Sequence, residues 1–144
     1  MAQAKLYGQA LVSAFNKEID LSGDSFNILL LDNTYTPNQD THRYKSDLSG
    51  EVTGTGYTAG GKVLSNVAAT YDGASNTFKF DADDVSWNPS TITARYAVVY
   101  DNSPATDAVR PLIAFIDFET DQTSSGDQFT VSFNASGIVT ITVS

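Results

Sequence analysis

Leu6, Tyr7, Ala10, Leu11, Ala14 and Phe15 recur at three- and four-residue spacing, which places them on one face of a helix and predicts a short helical segment over 5–18. Ser22-Gly23-Asp24-Ser25 then breaks the chain, and the period changes from about four to two. Runs rich in β-branched and aromatic residues predict strands at 26–32, 62–71, 76–81, 91–100, 109–118, 128–134 and 138–143. In 128–134, Phe129, Val131 and Phe133 share a side away from Gln128, Thr130 and Ser132; in 138–143, Ile138, Thr140 and Thr142 oppose Val139, Ile141 and Val143. Asn134-Ala135-Ser136-Gly137 predicts a hairpin between those last two strands. Asp72-Gly73-Ala74-Ser75 predicts another, joining the strand that carries Val67 to the one carrying Phe78 and Phe80. Short strands, regular turns and no alternating helices predict a mainly β chain: an antiparallel β-sandwich or jelly-roll with one short N-terminal helix, in a single domain over 1–144. Two stretches fall outside this count, 33–49 with Pro37, His42, Arg43 and Lys45, and 101–107 with Pro104. Both are expected to be exposed loops, where binding usually resides.

Composition narrows the chemistry. A chain of 144 residues is long enough for a single core that buries roughly two-thirds of the unfolded surface. The absence of cysteine removes disulfides, thiolate nucleophiles and thiolate metal sites together. The balance of 17 acidic against 8 basic residues, a net charge of −9, repels polyanions and argues against a nucleic-acid partner, whose phosphates are held by Lys and Arg. The longest apolar runs, 28–31 and 112–116, are strand-sized, so the chain is expected to be soluble and without a membrane partner. The first ten residues hold one lysine and no continuous apolar run after it, so no signal peptide is expected.

Each apparent motif has a plainer explanation. Gly56-Tyr57-Thr58-Ala59-Gly60-Gly61-Lys62 matches the opening of a phosphate-binding loop, but Val63 stands where a magnesium-binding hydroxyl belongs and a strand is expected to follow instead of a helix. These glycines are expected to supply backbone angles and close approaches in a β-turn or bulge. His42 is the sole histidine and no G-x-S-x-G elbow occurs, so catalysis by a triad is not expected; a solvated loop histidine is. Asp81, Asp83 and Asp84 are weak calcium candidates, and Asp117, Glu119 and Asp121 form a second acidic run, but neither follows the D-x-[DN]-x-[DN]-G loop. Trp87 with Tyr35, Tyr44, Tyr57 and Tyr71 would make a stacking platform for sugars, against which Trp87 is read as a core plug between sheets. No cofactor is expected.

From about residue 51 onward the chain resembles a family of small tailed-bacteriophage virion proteins. The resemblance rests on Glu51-Val52-Thr53-Gly54-Thr55-Gly56-Tyr57-Thr58-Ala59-Gly60-Gly61, then Leu64-Ser65-Asn66-Val67, then Phe80-Asp81-Ala82-Asp83-Asp84-Val85-Ser86-Trp87, and then Thr91-Ile92-Thr93-Ala94-Arg95-Tyr96-Ala97-Val98-Val99-Tyr100, in that order. The opening helix and Phe-rich first strand are similar too, while Tyr96 departs from the small residue expected after the arginine. The resemblance implies a non-enzymatic capsid decoration, or cement, protein that is made in the bacterial host cytoplasm and placed on the capsid surface of the virion. It implies the major capsid protein as partner and a homotrimer as the assembly. Contacts are expected from the amphipathic segment, through Leu6, Leu11 and Phe15, and from Arg95 and Arg110 as charge-paired anchors. A tail, head-fibre or receptor-binding module is the alternative, and a carbohydrate-binding module or enzyme ranks below it.

Overall fold

In the computed structural model, which describes residues 3–144, eight strands form two antiparallel sheets with one α-helix packed against them. The strands are β1 (Ala4–Leu6), β2 (Phe26–Leu31), β3 (Lys62–Val63), β4 (Ala68–Asp72), β5 (Thr77–Asp81), β6 (Val85–Asp101), β7 (Leu112–Val131) and β8 (Val139–Thr142), and the helix is α1 (Gly8–Phe15). A five-stranded sheet runs β1-β7-β6-β2-β3 and a three-stranded sheet β4-β5-β8. The expectation of an antiparallel β-sandwich with one short helix holds.

The core is double. Every residue of β2 is buried, because both faces of the larger sheet are covered. Phe26, Ile28 and Leu30 pack toward the smaller sheet with Phe80, Ile138 and Val139; Leu29 and Leu31 pack the other way with Tyr7, Ala10 and Tyr35. Alternation between apolar and polar residues needs one wet face, and β2 has none. The single core expected from chain length is therefore two clusters, one on each face of the five-stranded sheet.

Several local expectations are corrected by these tertiary partners. The helix spans eight residues instead of 5–18: Lys5 pairs with Phe115 and Leu6 with Ala114 in the sheet, the Tyr7 amide donates to Ile113 O, and Lys17 at φ 65° ends the helical path. The strand expected over 62–71 is split by a turn through Asn66 (φ 53°), which moves the chain from one sheet to the other. The strand at 91–100 begins earlier, at Val85, and those at 109–118 and 128–134 are parts of one long β7. Tyr96 pairs with Asp117 and Ala94 with Gln122, so Phe118, Glu119, Thr120 and Asp121 bulge opposite Arg95 alone, with Glu119 at φ 69°.

The β4–β5 hairpin forms as expected, with Tyr71 opposite Phe78. The terminal hairpin does not. β8 pairs with β5, Val139 opposite Phe80 and Ile141 opposite Phe78, while β7 pairs with β6. Gly137 at φ 107° turns the chain across the sandwich and the Ile138 amide donates to Phe80 O. The loop 33–49 is no loose surface segment: it buries Tyr35 and contains a 3-10 turn, Lys45–Asp47. Asp101, expected in a loop, is the buried last residue of β6.

Candidate functional site

The glycine-rich turn is a clamp on the edge of β2. Gly56 (φ 85°) and Gly61 (φ 77°) press against backbone so closely that a Cβ would overlap Pro89 O in the first case and Ile28 O in the second. The Glu51 carboxylate accepts the Tyr57 hydroxyl at 2.8 Å and the Gly60 amide at 2.7 Å. Tyr100 donates to Gly60 O at 2.8 Å, and Lys62 donates to Ser86 O and lies 5.8 Å over the Trp87 ring. Burial raises the Tyr57 hydroxyl above the ordinary tyrosine range, so it stays protonated and able to donate. These amides and this lysine serve the fold, and no helix follows to face a phosphate.

The aromatic platform is absent. Trp87 is 1% exposed and packs edge-on against Phe129 at 6.2 Å, with Tyr57 at 5.9 Å, as the core plug the sequence suggested. Tyr35 is buried, the Tyr44 hydroxyl donates to Glu18, and only Tyr71 of the set is strongly exposed. Side chains that face inward or are taken up by neighbours offer no stacking surface.

The carboxylates are held apart by separate structural duties. Asp81 pairs with Lys79 at 3.4 Å, Asp83 accepts Asn66 Nδ2 at 2.6 Å, and Asp84 accepts the Phe133 amide at 2.9 Å. Asp117 holds Arg95 and the Glu119 amide, and Asp121 accepts Asn33 Nδ2 at 2.9 Å. Among the described residues no three His, Cys, Asp or Glu side chains converge as a metal site. His42 meets Tyr35 rather than a serine and a carboxylate, so the residues of a triad are not brought together.

Arg95 and Arg110 are engaged within the chain. Arg95 grips Asp117 through Nε at 2.8 Å and Nη2 at 3.4 Å, and this hydrogen bonding holds the Asp117 carboxyl below the ordinary range. Arg110 bonds Pro104 O at 2.8 Å and Asp107 at 2.9 Å. Both guanidiniums are thus paired within the chain while part of each side chain stays exposed.

What remains is an apolar surface on α1. The helix buries Ala10 and Ser13, and its opposite side exposes Leu11 (41%), Val12 (43%) and Phe15 (87%). Leu11 and Ala14 also border a wholly apolar crease whose far wall is Phe78, Val139 and Ile141; Leu6 lies in that crease, half-buried. Beside it runs the free edge of β4, exposed at every residue and without a lysine or proline to blunt it. Sequence reasoning missed this edge, although a short run so poor in charge, 67–71, was its signal. No known family model, curated protein or solved structure matches the chain.

Proposed function

We propose that this chain is a structural protein of a tailed-bacteriophage particle, a capsid decoration protein that binds the assembled head non-covalently and carries no catalytic site. The observation that carries the reading is the strip Leu11, Val12 and Phe15, with Phe15 87% exposed, beside an apolar crease on a chain of net charge −9. Contiguous apolar surface of this kind marks a contact site, and acidity elsewhere keeps an unassembled copy in solution. The order of the Gly54-Thr55-Gly56-Tyr57, Asp84-Val85-Ser86-Trp87 and Thr93-Ala94-Arg95 segments supports the phage assignment by resemblance. The partner is the major capsid protein and the assembly a homotrimer. A trimer joined through heterologous contacts fits a three-fold position on a shell. Binding the assembled shell in preference to its free subunits stabilises the shell by mass action.

Light scattering coupled to size exclusion, followed by sedimentation with purified phage heads, tests this. A mass near three times 15.4 kDa and recovery in the head pellet are expected, with Phe15→Asp losing the pellet fraction. A monomer that stays in the supernatant overturns the reading. Recovery with cell envelopes instead moves the protein to the tail or fibre.

A further inference from the structure

The loop 33–49 is stitched to α1 and β1: the Gly8 amide donates to Gln39 O at 2.9 Å, Gln39 Nε2 to Leu6 O at 2.8 Å, and Arg43 to Ser13 Oγ at 3.1 Å and Glu18 at 2.6 Å. Beneath it three side chains stand in a row. The Tyr7 and Tyr35 hydroxyls lie 2.8 Å apart, and Tyr35 lies 2.8 Å from Nδ1 of His42. The Asn38 amide points at the same Nδ1 from 3.3 Å.

A backbone N–H can only donate, so the Asn38 contact is made when Nδ1 carries a lone pair and the ring proton sits on Nε2. The direction of the row follows: Tyr7 donates to Tyr35, and Tyr35 donates to His42. A proton added at Nδ1 makes the ring donate to Tyr35, which leaves one of the two tyrosine protons without an acceptor where Tyr7 is 0% and Tyr35 2% exposed, while the Asn38 N–H confronts another N–H. The tyrosines cannot relieve this by ionising, because burial raises both hydroxyls above the ordinary range.

We propose that His42 is an acid-sensitive pin: neutral, it locks the loop 33–49 onto the Tyr7–Tyr35 pair; protonated, it releases the loop from the face of the sheet. The charged and titratable groups around it fit this role. The Tyr35 ring lies tilted against the imidazole at 5.5 Å and meets Tyr96 of β6 edge-on at 5.6 Å, Tyr7 is the residue preceding α1, and Arg43 pairs with Glu18. The Asp47 carboxylate interacts with the His42 ring through its charge and is held by the Arg43 and Tyr44 amides at 2.8 and 3.0 Å.

Hydrogen–deuterium exchange at pH 7.5 and 5.0, corrected for intrinsic amide rates, tests the pin in the wild type and in His42→Gln, whose amide oxygen accepts a hydrogen bond but does not titrate. Protection of amides 38–48 should fall on the order of tenfold at pH 5.0 in the wild type and stay constant in the variant, with β2 and β6 unchanged in both. Equal protection at both pH values overturns the proposal. So does a parallel loss in His42→Gln, which would assign the effect to Asp47 or Glu18. Should the variant not fold, wild-type NMR decides: the His42 ring and the Asn38 amide must titrate together, and a ring that titrates without moving Asn38 overturns it.

Discussion

The hydroxyl of Tyr57 donates to Glu51 at 2.8 Å while accepting the Leu30 amide at 3.0 Å, so a single side chain joins the glycine turn to the backbone of β2. Tyr57→Phe keeps the ring against Trp87 but strands the Leu30 amide and leaves Glu51 with the Gly60 amide alone. A loss of about 1–3 kcal/mol in denaturant unfolding is expected, the cost of leaving partly buried groups unpaired. A change below about 0.5 kcal/mol, the scatter of an inert surface substitution, would show that water replaces the phenol without penalty.

The turn's glycines divide sharply by what surrounds them. Gly61→Ala drives a methyl into Ile28 O at φ 77° and should cost about 1–3 kcal/mol from backbone strain alone, before the overlap is counted. Gly73, in the β4–β5 turn, has open space around it and an ordinary φ, so Gly73→Ala should lie within about 0.5 kcal/mol of wild type. Melting both variants side by side checks the contrast, and equal effects would refute it.

Asp101 sets a pH dependence. It is 0% exposed, Oδ1 accepts the Ser103 amide at 2.9 Å, Oδ2 has no donor, and Asp24 lies against it. Burial first, and then the Asp24 carboxyl, push Asp101 up from 3.8 to about 7. Between those values the folded chain holds a proton that the unfolded chain has released. The contribution to stability is therefore complete below the unfolded value and is lost as pH rises toward 7. The wild type should lose stability across this window relative to Asp101→Asn, whose amide donates to Asp24 at any pH. Denaturant midpoints at pH 5, 6, 7 and 8 measure the difference, and parallel profiles would exclude it.

Phe15 separates folding from association. Its ring is 87% exposed and contributes little to the folded monomer, so Phe15→Ser should leave the unfolding free energy within about 0.5 kcal/mol of wild type. The same variant should abolish concentration-dependent mass in light scattering. A destabilised monomer would show instead that the ring belongs to the core.

The sequence made some of this legible and could not have made the rest so. Alternation in Thr77–Asp81 and the turn after Asp72 specify the β4–β5 hairpin because both signals are local. The same signals around Gly137 misassign β8: a turn and an alternating strand record that the chain reverses, not which strand receives it, and the burial of Ile138 against Phe80 decides for β5. Helical spacing groups Leu11 with Phe15 but does not say which side of α1 faces the protein. The buried side runs through Ser13, a polar residue that accepts Arg43 Nε and so hides the stripe from any count of apolar positions. Trp87 was readable as a plug from its place in the chain, whereas the pairing of Arg95 with Asp117 depends on the bulge in β7, which no spacing encodes.

The pairing of Ala4 with Ile116 joins residues at nearly opposite ends of the chain. Contacts of such separation form late and slow folding, since the loop between them must close first. On the ribosome, β1 and α1 are made before β7, and β1 has no docking strand until β7 follows. The apolar residues of α1 thus stay uncovered until that strand is made, and the chain's net charge of −9 favours repulsion between neighbouring copies in the meantime.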